Sequence, residues 1–194
     1  MDNLHTVHSE SCGTRKNGFM SIDIEILNGD AAWPVAEPLL TAVWPAAVKA
    51  ALPWGQVTFA RADFRVLVEA DDAGLVCHVG LYRRNATLNG RAAHIGGVGG
   101  VVTRADHRRR GLANIALNAA TQTLRHEGSL GFALLFSEPT TVAFFQARGW
   151  HAFEGEILAE QPAGHGRFDL LTPMVFDLVQ KPRKGVIDLC GLPW

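Results

Sequence analysis

The stretch RADHRRRGLA, residues 104–113, sets four arginines beside one glycine in a chain whose formal net charge is only −1. Guanidinium groups donate forked hydrogen bonds that suit phosphate oxygens, and a glycine lets backbone N–H groups approach an anion closely. Leu112, Ile115, Ala116, Ala119, Ala120 and Leu124 recur at helical spacing directly after Gly111. A helix start there adds unpaired N–H groups and the positive end of a dipole. Arg108, Arg109, Arg110, Gly111, Leu112 and Ala113 are therefore candidates to hold a phosphate, a pyrophosphate above all. A solvated basic turn accounts for the same charges.

Groups able to move a proton are few. Glu138 closes the apolar run GFALLFSE just before Pro139. A carboxylate there can steady an ammonium group and accept its proton, directly or through water; it can also simply face the dipole of the following helix. His78 and His94 titrate near neutral pH but rank below Glu138, because a lone strand histidine is more often packed than catalytic. His165 stands in a polar loop, either lining an acceptor site or exposed to solvent. No metal-ligand spacing and no Ser-His-Asp order emerges, so no metal is expected.

Several elements must position these groups. SIDIEIL alternates as a half-buried strand does, with Ile22, Ile24 and Ile26 inward. Residues 33–51 read as helical, interrupted by Pro38 and Pro45 and stopped by Pro53. FRVLVEA and LVCHVGLYRR form a hairpin around DDAG, where Asp72 and Gly74 supply the turn, and Asn89-Gly90 predicts another. The following strand, AAHIGGVGGVVT, is broken by Gly96, Gly97, Gly99 and Gly100, which mark a bulge or a close approach. The helix after Gly111 should stop at Gly128. GFALLFSE reads as a buried strand, and PTTVAFFQARG as a short helix from Pro139 to Gly149. EGEILAE and PMVFDLVQ are the last strands, joined by the loop QPAGHGRFDLLT and followed by the Pro- and Gly-rich tail KPRKGVIDLCGLPW. The order is mixed α/β, with hairpins first and a strand-helix-strand crossover in the middle.

With 194 residues, 47% of them hydrophobic and 19% charged, one soluble globular domain is expected. Near-neutral charge gives no general reason to hold nucleic acid, and no apolar run is long enough to span a bilayer. Cys12, Cys77 and Cys190 are odd in number and scattered, as in a reducing cytosol; a cytoplasmic location is expected. Residues 1–20 are polar, without a signal-like apolar run, and read as an extension. The domain proper should cover 21–181, with 182–194 a tail packing near the acceptor site.

RRRGLA (108–113) resembles the R/Q-x-x-G-x-G/A pyrophosphate loop of the GNAT N-acetyltransferase superfamily. VVTRADHR is similar to that family's fourth strand entering its loop, and FFQARGW to the end of its penultimate helix; the resemblance covers residues 22–180. It implies a GNAT fold, a central mixed, mostly antiparallel sheet of six to seven strands flanked by helices, and acetyl-CoA as cosubstrate. By the same resemblance Val101, Val102 and Thr103 would pair with the pantetheine arm, the Val101 N–H would meet the thioester oxygen, and Phe145 would contact the cofactor. Two residues depart from the pattern: Phe145 stands where the family's tyrosine acid falls, and Gly99 where many members carry a glutamate. The only tyrosine, Tyr82, lies on another strand.

RADHRRRGL, ARGWHAF and a terminal tryptophan resemble the aminoglycoside 2′-N-acetyltransferases, while HVGLYRR (78–84) resembles the nodulation N-acyltransferases. Both imply a small-molecule acceptor with an amine on a sugar. Glu138, His78, Tyr82, Asp188 and Trp194 are then the acceptor-side candidates, with the Trp194 carboxylate folding back toward the amine and Asp188 nearby. Trp33, Trp44 and Trp54 lie in the acceptor-side helices or simply in the core, and Glu154, Glu156 and Asp169 supply negative charge or surface solvation. A homodimer is common in the family, though no residue here specifies an interface. A module that binds acyl-CoA without turnover stays open, given Gly99 and Phe145.

Overall fold

The computed structural model describes residues 21–71 and 73–194. The expected extension 1–20, with Cys12, and Asp72 of the first turn lie outside the described residues. In chain order the elements are β1 (Ile22–Asn28), α1 (Trp33–Val43), α2 (Ala46–Ala50), β2 (Phe64–Ala70), β3 (Gly74–Leu88), β4 (Arg91–Thr103), α3 (Leu112–His126), β5 (Phe132–Ser137), α4 (Val142–Gln146), β6 (Trp150–Ala152), β7 (Glu154–Gln161), β8 (Gly164–Arg167), β9 (Thr172–Asp177) and β10 (Lys184–Asp188).

The strands form one mixed sheet in the order β6-β9-β5-β4-β3-β10-β7-β8, with β2 also pairing β3 and β1 pairing β2. The α/β class stands, but the sheet has ten strands rather than six to seven. The additional three come from segments too short or too polar to show a period. Residues 161–172, expected as loop, turn back as β8 along β7. The Pro- and Gly-rich tail contributes β10, parallel to β7 and antiparallel to the far end of β3. β6 is only three residues long.

Local chemistry explains the frame. Asn89 and Gly90 both take positive φ, 52° and 75°, as a tight hairpin turn between β3 and β4 requires. α3 buries Leu112, Ala116, Leu117, Ala120 and Leu124 against Val79, Leu81 and Val98 on one sheet face, and Gly128 at φ +62° ends it. β5 is buried along its length except at Phe136, as a parallel neighbour of β4 covered on both faces should be. The opposite face packs Tyr82, Ile95, Phe132, Leu134 and Trp194 together.

β1 corrects one expectation. It is a strand, yet Ile24, Ile26 and Leu27 are exposed, because among the described residues β1 pairs only with β2, at the margin of the sheet. The glycines of β4 also divide in role. A Cβ at Gly97 would collide with the Trp194 indole, and one at Gly96 would press on Leu124 at 2.9 Å; these two are close approaches, not a bulge. The bulge falls at Gly100, φ +56°, where the β3–β4 register shifts between His78 and Gly80.

Candidate active site

The parting of two strands creates the site. β4 pairs with β5 only over Ile95–Val98, whereas β5 stays paired with β9 through Ser137. Past Val98, β4 follows β3 through the bulge and on to Thr103. A wedge opens between the two parallel strands, and along it the β4 backbone of 99–103 has no strand partner on the β5 side among the described residues. Such an edge offers N–H and C=O groups to an extended guest. The wedge belongs to a cavity of about 1370 Å³, above the usual range for a single small ligand and large enough for a cosubstrate and an acceptor together.

The arginine loop stands at the end of β4. Arg104 anchors its start, donating to Ala73 O at 2.6 Å and to Asp106 at 2.8 Å. Arg108 Nε donates to Thr103 O at 3.2 Å, folding the loop onto the strand. Arg109 (φ 61°) and Gly111 (φ 81°) are both left-handed. Gly111 is the N-cap of α3 and no side chain caps that helix; the Asn114 N–H returns to Gly111 O at 3.0 Å, which leaves the N–H groups of Leu112 and Ala113 to a guest. Arg108, Arg109, Gly111, Leu112 and Ala113 line the cavity; Arg110 is the member of the candidate set that the cavity wall does not include. Arg148, in the turn after α4, braces the start of α3, donating to Asn114 Oδ1 at 3.1 Å while stacking 3.7 Å over the Phe144 ring.

Val101, Val102 and Thr103 run along the wedge, and Phe145, buried, lines it from α4. Glu138 sits where β5 ends, half-buried in the cavity wall, and its Oε1 accepts a 2.9 Å hydrogen bond from Trp54 Nε1. Trp54 in turn packs edge-on against Trp44 and Phe59, so an aromatic cluster fixes the carboxylate. Trp33, Trp44 and Trp54 all line the cavity; Trp54 is core and lining at once.

His78 is in the cavity wall but is not built as a base. Its Nδ1 lies 2.8 Å from Gly100 O and its Nε2 2.9 Å from Arg65 Nη1. A guanidinium only donates, so Nε2 accepts and Nδ1–H donates to the bulge carbonyl; both nitrogens are committed. Burial, with the Arg65 charge beside it, pushes the pKa down to about 4, against the pull of the Gly100 carbonyl. His78 therefore pins the bulge as a neutral ring. Because its folded value lies below the ordinary 6.5, the unfolded chain takes the proton first as pH falls. The stability this neutral ring contributes is complete above pH 6.5 and declines toward pH 4, by on the order of 3 kcal/mol across the window. Denaturant midpoints at pH 7 and pH 5 should accordingly separate more for the wild type than for His78→Gln.

Tyr82 stacks on Trp194, centroids 5.4 Å apart, with its hydroxyl 3.2 Å from where a Cβ of Gly80 would stand. Burial raises its pKa to about 12, so the phenol keeps its proton. The tail does return to the site: Trp194 is buried, lines the cavity, and brings its main-chain carbonyl carbon to 3.3 Å from the Cβ position of Gly99.

Other candidates are not brought in. Asp188 and His165 bind each other at 3.0 Å, away from the cavity wall. Partial burial opposes ionisation of Asp188, but the hydrogen bonds from His165 and the Cys190 N–H together hold its carboxyl below the ordinary value. His94 is exposed on β4, and Glu156 and Asp169 flank Arg167 at 3.7 and 3.6 Å; neither they nor Glu154 line the cavity. Among the described residues no cluster of His, Cys, Asp and Glu could hold a metal, and no helix is long and apolar enough to cross a membrane. Among the cavity residues that the sequence reading missed are Arg148, in the turn after α4, and Arg65, whose signal is a charge inside the apolar strand FRVLVEA.

A mixed sheet that parts between β4 and β5, with an uncapped helix start beside the opening, makes an α/β domain built to take an extended guest with an anionic end. Residues 32–153 match the family model of the acetyltransferase (GNAT) domain, and the chain belongs to that family. Over 90 residues it is 32% identical to the aminoglycoside 2′-N-acetyltransferase of Mycolicibacterium fortuitum, a match covering 46% of this chain and 45% of that protein. The match thus spans about half the length of that relative. The fold is shared with the GNAT N-acetyltransferase YhbS of Escherichia coli, solved in complex with CoA (TM-score 0.57, 14% identity, 91% of this chain and 93% of that one). It is also shared with Escherichia coli ElaA (TM-score 0.58, 15% identity, 81% of this chain and 100% of that one).

Proposed function

We propose that this chain is an acetyl-CoA-dependent N-acetyltransferase that acetylates the 2′-amine of an amino-sugar antibiotic, kasugamycin foremost, and so confers resistance. The observation that carries the reading is the wedge between β4 and β5 ending at the Arg108–Gly111 loop. The partial likeness to an aminoglycoside 2′-N-acetyltransferase supports the acceptor class.

The residues present fit coenzyme A, since an uncapped α3 start and two cavity-lining arginines suit a pyrophosphate. Val101, Val102 and Thr103 hold the pantetheine arm as a neighbouring strand would, and Phe145 packs beside it. Acetyl-CoA supplies an activated acyl group to be passed to the amine. The Val101 N–H, presented by the pinned bulge, is the donor for the thioester oxygen as charge develops there. Glu138, fixed by Trp54, attracts the acceptor ammonium and takes its proton. The Tyr82 phenol, still protonated at neutral pH, is a donor at the acceptor side, and Trp194 floors that side with an apolar face. His78 acts on the acceptor through Gly100, by holding the bulge.

Amide hydrogen exchange tests the wedge. Adding coenzyme A should slow exchange at 99–103 and at the first turn of α3, while β1 amides are untouched; unchanged exchange at 99–103 would overturn the assignment. Gly99 and Phe145, which lack the proton-transfer groups the family usually carries there, favour a second reading: a module that binds acyl-CoA without turnover. An N-acyltransferase acting on another amino sugar is the remaining alternative.

A further inference from the structure

Arg65 sits on the acceptor side of the cavity as a buried cation, 6% exposed, with no acidic side chain in ion-pair distance among the described residues. Its Nε donates to Gly29 O at 2.8 Å and one Nη1 hydrogen goes to His78 Nε2. A guanidinium has five N–H donors, so these two bonds leave the fork unfilled. Neither neighbour neutralises it. His78 is held as a neutral ring, and the Trp33 ring, 4.7 Å from the guanidinium carbon, takes only one face of the plane. Asp30, also in the cavity wall, attracts the charge only from beyond ion-pair distance, its exposed carboxylate lying 3.5 Å from Arg61. A buried charge without a counter-charge is strongly disfavoured. A guest that brings one would gain a bidentate, desolvated pair.

The surroundings give that guest a shape. Arg65 lies opposite Gly80 on β3, and Gly80 lies opposite Gly99 on β4. Cross-strand neighbours share a sheet face, and the two glycines in this row make room for Tyr82 and Trp194, which stand 3.2 Å from the Cβ positions of Gly80 and Gly99 and line the cavity beside Arg65. The backbones at the two ends are two strand spacings apart, about 10 Å. Through His78, the guanidinium is one imidazole ring and two hydrogen bonds from Gly100 O. At the other pole stands Glu138, a carboxylate suited to an amine.

We infer that Arg65 is a specificity-determining residue that binds a carboxylate on the acceptor, so that the acceptor class is an amino sugar bearing both an amine and an anionic group. This rests on reading the cavity as an amine-acceptor site. An acceptor carrying cations alone sets its charge against Arg65 and gains nothing from the unfilled fork.

Binding of a matched pair tests it without requiring turnover. Glucosamine and 2-amino-2-deoxyglucuronic acid differ by a hydroxymethyl group against a carboxylate. Each is titrated calorimetrically into the coenzyme A-saturated protein, as wild type, Arg65→Gln and Arg65→Lys. The uronate should bind wild type at least tenfold more tightly than glucosamine. That ratio should collapse toward one in Arg65→Gln and fall part-way in Arg65→Lys, which keeps the charge but not the fork. Melting temperature and coenzyme A affinity identify variants that fold, and Arg65→Lys guards against loss of Arg65→Gln. A wild-type ratio near one, or the same ratio in all three proteins, overturns the assignment. An intact ratio in a protein that never transfers acetyl sustains the carboxylate site and overturns the transferase reading instead.

Discussion

Gly111→Val is expected to weaken coenzyme A binding by about 5- to 150-fold while leaving the fold in place. Gly111 holds φ +81° at the start of α3, and a Cβ added there meets nothing within 4 Å. The penalty is therefore conformational rather than steric crowding. A β-branched residue in the left-handed region is strained by about 1–3 kcal/mol, which corresponds to that range of affinity. Relief requires the loop to turn its N–H groups away from the place where α3 lacks a cap. Gly111→Asn, which tolerates the left-handed region better, should lose less. Calorimetric titration of coenzyme A into the two variants checks the order; equal affinity in wild type and Gly111→Val would mean that the pyrophosphate is held elsewhere.

Glu138→Gln is expected to lower kcat/KM for the amino sugar by about 10²- to 10³-fold, in the range of a lost general base. Glutamine keeps the shape and an oxygen able to accept the Trp54 hydrogen bond, so the aromatic cluster beneath it survives. Only the negative charge and the ability to take a proton are removed. Steady-state rates across pH, with coenzyme A affinity as the control, separate the two roles. A raised KM with unchanged kcat means that Glu138 merely anchors the ammonium. Unchanged kcat and KM together mean that another group receives the proton.

Much of the frame was legible because periodicity and turn chemistry agree. Asn89-Gly90, Gly111 and Gly128 all adopt the positive φ that their positions require, and α3 buries the face its spacing predicts. What escaped depends on long-range pairing. β8 (GHGR) and β10 (KGVID) are short and show no alternation, and they are strands because β7 and β3 offer edges to them. β1 alternates as a buried strand does, yet its position beyond β2 leaves Ile24 and Ile26 exposed. The site followed the same division. The arginine loop and Glu138 announced themselves locally, whereas the Arg65–His78–Gly100 relay joins β2, β3 and β4 across the sheet and has no local pattern. The resemblance set Asp188 near the Trp194 carboxylate, but Cys190, at φ 48°, turns the chain between them; Asp188 bonds outward to His165 while Trp194 turns in.

The most direct measurement is thiol release from acetyl-CoA with purified protein and a panel of amino sugars that includes kasugamycin, products read by mass spectrometry. The account predicts acceptor-dependent release with one acetyl group added at the 2′-amine of the favoured sugar. Coenzyme A binding with no acceptor-dependent release anywhere in the panel would contradict it and leave an acyl-CoA-binding module.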